Sequence, residues 1–139
     1  MPGYWILKTE PSSYSYDQLE QDGRTVWEGV RNAQALIHIR SMRPGDQALI
    51  YHSGSGKALV GRAAIVTAPY PDPAAGDPKL VVVDIEAGGR LPREVTLAEI
   101  KAEKAFAELG LVRQGRLSVV PVTAAQWKRL LAMSREPAD

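Results

Sequence analysis

The chain has 139 residues, with 17 basic and 16 acidic side chains, two histidines and no cysteine, for a net charge of +1. By size scaling it keeps roughly 7,000 Å² of roughly 22,000 Å² of unfolded surface, enough for one core but not for two ordinary domains. Without cysteine there is no disulfide, thiol nucleophile, iron–sulfur cluster or cysteine-ligated zinc, and the redox compartment is unreadable.

The opening MPGYWILKTEP has no basic leader and no small-residue cleavage site. Tyr4 to Thr9 is an apolar, β-rich run that reads as a buried strand stopped by Pro11. Ser15 with Gln18 has capping-box spacing, predicting a helix over Tyr16 to Asp22 closed by Gly23. Asn32 can cap a helix running to about Met42, and Pro44–Gly45 then forces a turn. Gln47 to His52 and Leu59 to Thr67 read as strands joined by the flexible SGSGK connection. Ala68 to Pro78 reads as a surface loop. Leu80 to Ala87 alternates with period two, and its Asp84 and Glu86 have the look of a solvated strand edge. Thr96 with Glu99 opens a helical stretch that breaks before Gly110. Leu117 to Val122 is a strand that Pro121 confines to an edge or bulge. Thr123 with Gln126 caps the last helix, whose apolar stripe is Trp127, Leu130 and Leu131. The connections are too short for a doubly wound sheet. The expected fold is a small α+β domain with about five to six strands curled towards a barrel. No apolar run approaches the ~20 residues of a membrane span. A single domain over residues 1–139 is expected, cytoplasmic and monomeric by default.

The near-zero net charge hides a partition. Residues 24–62 carry +4 and residues 111–135 carry +5 with no acid, whereas residues 1–23 and 63–110 carry −3 each. Arginine outnumbers lysine eleven to six, and guanidinium suits bidentate phosphate contacts. The blocks either disperse over a mixed surface or meet as one positive face for a polyanion.

Catalytic motifs fail on inspection. For the segment HSGSGK, a phosphate loop needs glycine and a hydroxyl where Tyr51 and Ala58 stand, and a dinucleotide fingerprint needs glycine at Leu59. His38 and His52 have no metal-ligand spacing. His52–Ser53 lacks a nucleophile elbow, and neighbours along a strand face opposite ways. Neither a catalytic set, a cofactor site nor a metal site is expected. What remains is Trp27 in the polar stretch WEGVRN, either a plug in the core or a wall for a flat ligand. Asn32 suits either a helix cap or a base edge. Thr9, Glu10, His52 and Ser53 lie at the ends of two apolar strands, where barrel folds open into pockets.

The segments YWILKTEPSSYSYDQL, TVWEGVRNAQA, RPGDQALIYHS, the Val60–Gly61 pair, YPDP and LVRQGRLSVVPVT together resemble the EVE domain family, which is related in fold to PUA, ASCH and YTH domains. The resemblance spans nearly the whole chain. It implies a PUA-like pseudo-barrel and a non-enzymatic reader of modified bases in DNA or RNA. Lys8, Thr9, Glu10 and Pro11 match the family's K-[ST]-E-P element, and Trp27, Val30, Arg31 and Asn32 its W-x-G-V-R-N element. Tyr51, His52 and Ser53 match its YHS, and Arg116, Leu117 and Ser118 its RLS. Departures fall at Ala33, Leu36–Ile37, Gly54 and Leu80, and an insert before Leu80 is missing. The implied base pocket comprises Lys8, Thr9, Glu10, Trp27, Val30, Arg31, Asn32, Tyr51, His52, Ser53, Leu117 and Ser118. Arg31, Arg40, Arg43, Lys57, Arg113 and Arg116 are the expected phosphate contacts. Stacking supplies about 1–3 kcal/mol per base and flipping costs a few, so phosphates must provide the net affinity. Two alternatives are a sensor of a free nucleobase-like molecule, and a nucleotide-processing enzyme with Glu10 or His52 as acid or base.

Overall fold

The computed structural model describes residues 3–54 and 56–136; Ser55 of the SGSGK connection, Met1, Pro2 and residues 137–139 lie outside the described residues. Seven strands are present: β1 (Tyr4–Thr9), β2 (Arg24–Trp27), β3 (Gln47–His52), β4 (Ala58–Ile65), β5 (Tyr70–Pro71), β6 (Val81–Thr96) and β7 (Val119–Val122). Around them lie helices α1 (Tyr16–Asp22), α2 (Ala33–Arg40), α3 (Leu97–Lys101), α4 (Gly110–Arg113) and α5 (Ala124–Met133), with a 3₁₀ turn at Lys104–Phe106. The sheet runs β2-β6-β4-β3-β1-β7, with β5 attached to β6. Its one parallel pair is β1 with β3, Tyr4 opposite Gln47 through Thr9 opposite His52. All other pairs are antiparallel. The architecture is thus the expected mixed α+β fold on a curled, open sheet. No helix among the described residues is long and apolar enough to cross a membrane.

The curl originates in β6. This 16-residue strand pairs with β2 through Val83–Glu86 and with β4 through Ile85–Thr96. Its register against β4 slips twice, between Leu59 and Gly61 and between Arg62 and Ala63. Gly88 and Gly89 occupy the second slip, with Gly89 at φ +105°, a conformation glycine adopts without penalty. Residues 91–94 have no partner on β4, and Pro92 sits in that gap, where a missing N–H is tolerated. Tyr16 crosses the bend fully buried. Its hydroxyl donates to the Arg62 carbonyl (2.7 Å) and accepts from the Gly89 N–H (3.0 Å). A Cβ on Gly61 would lie 2.3 Å from the Tyr16 ring, so that position admits glycine alone.

Several boundaries differ from the sequence expectation. The described residues form seven strands, not five or six, because β2 and β5 are too short to show a periodic pattern and pair only through β6. The strand expected to stop at Ala87 continues to Thr96, since Leu91 and Val95 are buried beyond the two glycines. Residues 97–113 form two short helices and a 3₁₀ turn; α3 stops at Lys101 and Gly110 begins α4. Helix α2 ends at Arg40, and β7 begins at Val119. Pro121 lies on the sheet's edge strand, as expected. The Thr96–Glu99 and Thr123–Gln126 capping boxes both form. The Ser15 cap is one-sided: Ser15 accepts from Gln18 N–H (3.2 Å), whereas the Gln18 amide donates to Asp22 (3.0 Å). Asp84 is no solvated edge residue, because it accepts from the Tyr70 hydroxyl (2.5 Å) and pairs with Arg24 (3.0 Å).

Asp46, at the turn before β3, is buried among apolar neighbours yet fully engaged. It accepts from the Gly3 N–H (2.8 Å), the Trp5 indole N–H (2.9 Å) and the Arg43 N–H (3.0 Å). Three donors offset the desolvation of one carboxylate.

Candidate functional site

A cavity of about 330 Å³ opens where β1 and β2 end. Thr25, Val26 and Trp27 of β2 form one wall, continued by Glu28, Gly29 and Val30. Lys8 and Thr9 of β1, Ser13 and Tyr14 of the following turn, and Ser118 complete it. Trp27 is held by the pairing of β2 with β6, opposite Val83, and only 7% of it is exposed. Tyr14 meets it edge-on, with ring centroids 6.3 Å apart and planes at 80°, so the two rings make an aromatic corner. Tyr14 is itself pinned at both ends: its carbonyl accepts from Thr9 Oγ1 (2.8 Å) and its hydroxyl donates to Asp22 (2.7 Å). Burial, with the Asp22 carboxylate adding to it, pushes the Tyr14 phenol above its ordinary range and keeps it a neutral donor.

Across β1 lies a second cavity of about 420 Å³, which shares Lys8, Thr9 and Ser118 with the first. Lys8 fixes this partition. Its ammonium donates to the Gly115 carbonyl (2.7 Å) and lies 5.7 Å from the centre of the Tyr51 ring. Burial, and then the charge of Lys57, hold its pKa below the usual lysine value. Ser53 closes the end of β1: its N–H (2.9 Å) and hydroxyl (3.3 Å) both donate to the Thr9 carbonyl. Glu10 accepts from the Ser12 N–H (3.3 Å) and hydroxyl (3.2 Å).

The expected site residues are thereby divided. Lys8, Thr9, Trp27, Val30 and Ser118 come together at the first cavity. Glu10, Tyr51, Ser53 and Lys57 line the second. Asn32, Arg116 and Leu117 sit apart, in a groove with Gln34, Gln114 and Gly115. There Asn32 acts as the cap of α2, its side-chain oxygen accepting from the Ala35 N–H (3.0 Å). His52 lines neither cavity; its Nε2 accepts from the Tyr16 N–H (3.0 Å), which uses the lone pair a general base needs.

Segments of the two basic blocks touch at the groove of Asn32 and Arg116, and again where the Arg62 guanidinium lies 6.0 Å from the Trp127 ring, but each contact contains a single cation and makes no shared positive face. Much of their charge is already engaged. Arg40 donates to the Lys79 carbonyl (2.7 Å), Arg113 pairs with Glu108, and Arg129 pairs with Glu103 and Glu136. Arg31, Arg43 and Arg116 are exposed, but only Arg116 faces the shared groove; Arg31 sits beside Gly29 and Asp72. Ser13, Tyr14, Thr25 and Glu28 were not singled out by sequence reasoning, nor was Lys101 in the second cavity. Tyr14 follows Pro11, and a turn after proline gives no periodic signal; Glu28 adjoins Trp27 and shared its polar context. No three His, Cys, Asp or Glu side chains among the described residues are grouped to hold a metal ion.

The family model "EVE domain" matches residues 3–133 of the chain. The protein belongs to the EVE domain family. Chicken (Gallus gallus) thymocyte nuclear protein 1 is 32% identical to this EVE domain, over 96% of this chain and 69% of the relative. A Rhodopseudomonas palustris protein solved by NMR is 46% identical, with a TM-score of 0.91 over 96% of this chain and 93% of that one. The crystal structure of human thymocyte nuclear protein 1 in complex with DNA containing 5-methylcytosine is 26% identical, with a TM-score of 0.89 over 98% of this chain and 99% of that one.

Proposed function

We propose that this EVE domain is a non-enzymatic DNA-binding module that reads one base, carrying a modification, in the cavity walled by Trp27. The observation that carries the reading is the aromatic corner of Trp27 and Tyr14 at the mouth of a 330 Å³ cavity with polar groups around it. The complex of human thymocyte nuclear protein 1 with DNA containing 5-methylcytosine supports DNA as the polymer and cytosine as the base. A base turned out of its stack lies against one ring and abuts the other. Glu28 on the cavity wall is a carboxylate of the kind that accepts from the cytosine amino group. Thr25, Ser13 and Ser118 offer hydroxyls for the remaining edge. Asn32, committed to capping α2, lies outside the cavity and takes no part in reading the base.

A buried methyl is worth only about 0.8 kcal/mol, roughly fourfold in affinity. Discrimination beyond that requires the cavity to reject the unmodified base through a misplaced hydrogen bond or an unfilled void. Trp27→Ala is expected to weaken binding of a 5-methylcytosine oligonucleotide by about 1–3 kcal/mol, in line with the loss of one stacking platform. Fluorescence anisotropy against matched methylated and unmethylated strands measures it. Equal affinity of the variant and the parent would remove Trp27 from the pocket.

A further inference from the structure

Resting on that reading, we propose that the second cavity is a phosphate-ester subsite, in which Lys8, Lys57 and Lys101 receive the sugar–phosphate attached to the base held at Trp27. Three of the chain's six lysines line this one cavity, with Glu10 its single carboxylate. They arrive there from three separate elements. Lys8 comes from the end of β1, tied to Gly115. Lys57 immediately precedes β4, and its carbonyl accepts from the Leu97 N–H (3.0 Å) at the start of α3. Lys101 stands four residues after Leu97, so the two share one face of α3, and both line the cavity. The backbone bond between Lys57 and Leu97 therefore joins the segments that carry two of the three lysines.

Lys8 is hydrogen-bonded to the Gly115 carbonyl, but none of the three lysines is neutralised by a carboxylate in an ion pair among the described residues. Every ion pair among the described residues uses an arginine; no lysine takes part in one. Glu10 is turned to Ser12 and, at 3.5 Å, to the Ser53 hydroxyl. Lys8 is already half-buried beside Lys57, an arrangement of like charges that an anion relieves. The shared Lys8–Thr9–Ser118 wall places this anion site next to the base cavity. The arginines expected to hold phosphate are partly spent on Lys79 and Glu108, so the lysine cavity takes over their part.

The same chemistry is offered by a phosphodiester in DNA and by a free nucleoside 5′-monophosphate. The test compares the parent with Lys57→Gln/Lys101→Gln and with Trp27→Ala, using a methylated oligonucleotide at several salt concentrations and, separately, 5-methyl-dCMP. Both lysines are exposed, and a thermal melt matching the parent verifies the fold. The lysine variant is expected to bind DNA about tenfold or more weakly at about 50 mM salt, methylated and unmethylated strands alike, and to lose roughly 0.9 of salt slope per lysine. Trp27→Ala is expected to keep the slope and lose the preference for the methylated strand. An unchanged slope in the lysine variant, with Trp27→Ala still losing that preference, overturns the phosphate subsite and leaves the base reader standing. If the parent binds no DNA, the reader fails, and the free nucleotide decides the subsite. Binding of 5-methyl-dCMP lost in the lysine variant then supports it with the free nucleotide as source, and no binding overturns it.

Discussion

Gly61 and Tyr16 show how one missing side chain fixes a bend. The ring of Tyr16 occupies the volume any Cβ at Gly61 would need, and its hydroxyl satisfies two backbone groups where β4 and β6 slip. Gly61→Ala is expected to cost about 3 kcal/mol by overpacking, lowering the melting temperature by on the order of 10 °C. Adding Tyr16→Leu should then cost less than the two changes measured separately, because the clash is already gone; strict additivity would refute the contact. Asp46 makes the same point for polar groups. Asp46→Ala strands three donors at a buried turn and is expected to destabilise by about 3 kcal/mol, read by urea unfolding. At this scale the sequence was legible where a residue contradicted its surroundings. Trp27 stood out in a polar stretch and does face a cavity. Asp46 beside Pro44–Gly45 read as ordinary turn chemistry, since its partners lie 41 and 43 residues away. Tyr14 and Lys101 reach their cavities through tertiary packing, which leaves no local mark.

Elements with their own start signals were read most faithfully. Strands β1 and β3 have the expected bounds, and the threonine caps of α3 and α5 form as their spacing demands. Misreadings concentrate along β6, where glycine and proline, ordinarily loop residues, serve as bulges within a strand. Helix α3 carries a further consequence. Arg93 pairs with Glu99 (2.8 Å), and Glu99 also accepts from the Thr96 N–H and hydroxyl. The Arg93 guanidinium foremost, and then these bonds, hold the Glu99 carboxyl down to about 2 from its usual 4.5. A carboxyl with a depressed folded-state pKa contributes stability that is whole above pH 4.5 and lost as pH falls towards 2. Glu99→Gln is therefore expected to flatten the acid limb of a stability–pH curve over that interval while sacrificing stability at neutral pH. An acid limb identical to the parent's would contradict the assignment.

For the whole molecule, pH acts at the seam between sheet and helices. His52 at the end of β3 accepts from the first residue of α1, and His38 lies 6.0 Å from the Trp5 ring. Burial holds both imidazoles below their ordinary value of 6.5. The unfolded chain then takes up more protons than the folded one, so stability is complete above about pH 6.5 and declines on acidification through the folded values. Urea midpoints measured between pH 7.5 and 5 should fall, and His52→Gln should lessen the fall. The overall charge obeys the same lesson of position over sum. Segments of the two basic blocks touch without merging their charges, and carboxylates such as Glu103 against Arg129 and Asp84 against Arg24 answer some of their arginines. Lysines at one cavity remain. No count of charges along the chain distinguishes the two groups, because pairing is decided by the fold.

The place of β1 in the sheet bears on how the molecule is made. This first strand is flanked by β3 on one side and by β7 on the other, Tyr4 opposite Val122. During synthesis its second edge therefore has no mate until β7, far later in the chain, has been made. Until then a strand as apolar as Trp5–Ile6–Leu7 presents open hydrogen-bonding groups to any extended neighbour. Pairing β1 with β7 completes one edge of the sheet across a long stretch of chain, a contact whose loop-closure cost disfavours its early formation, and both cavities are built on the end of β1.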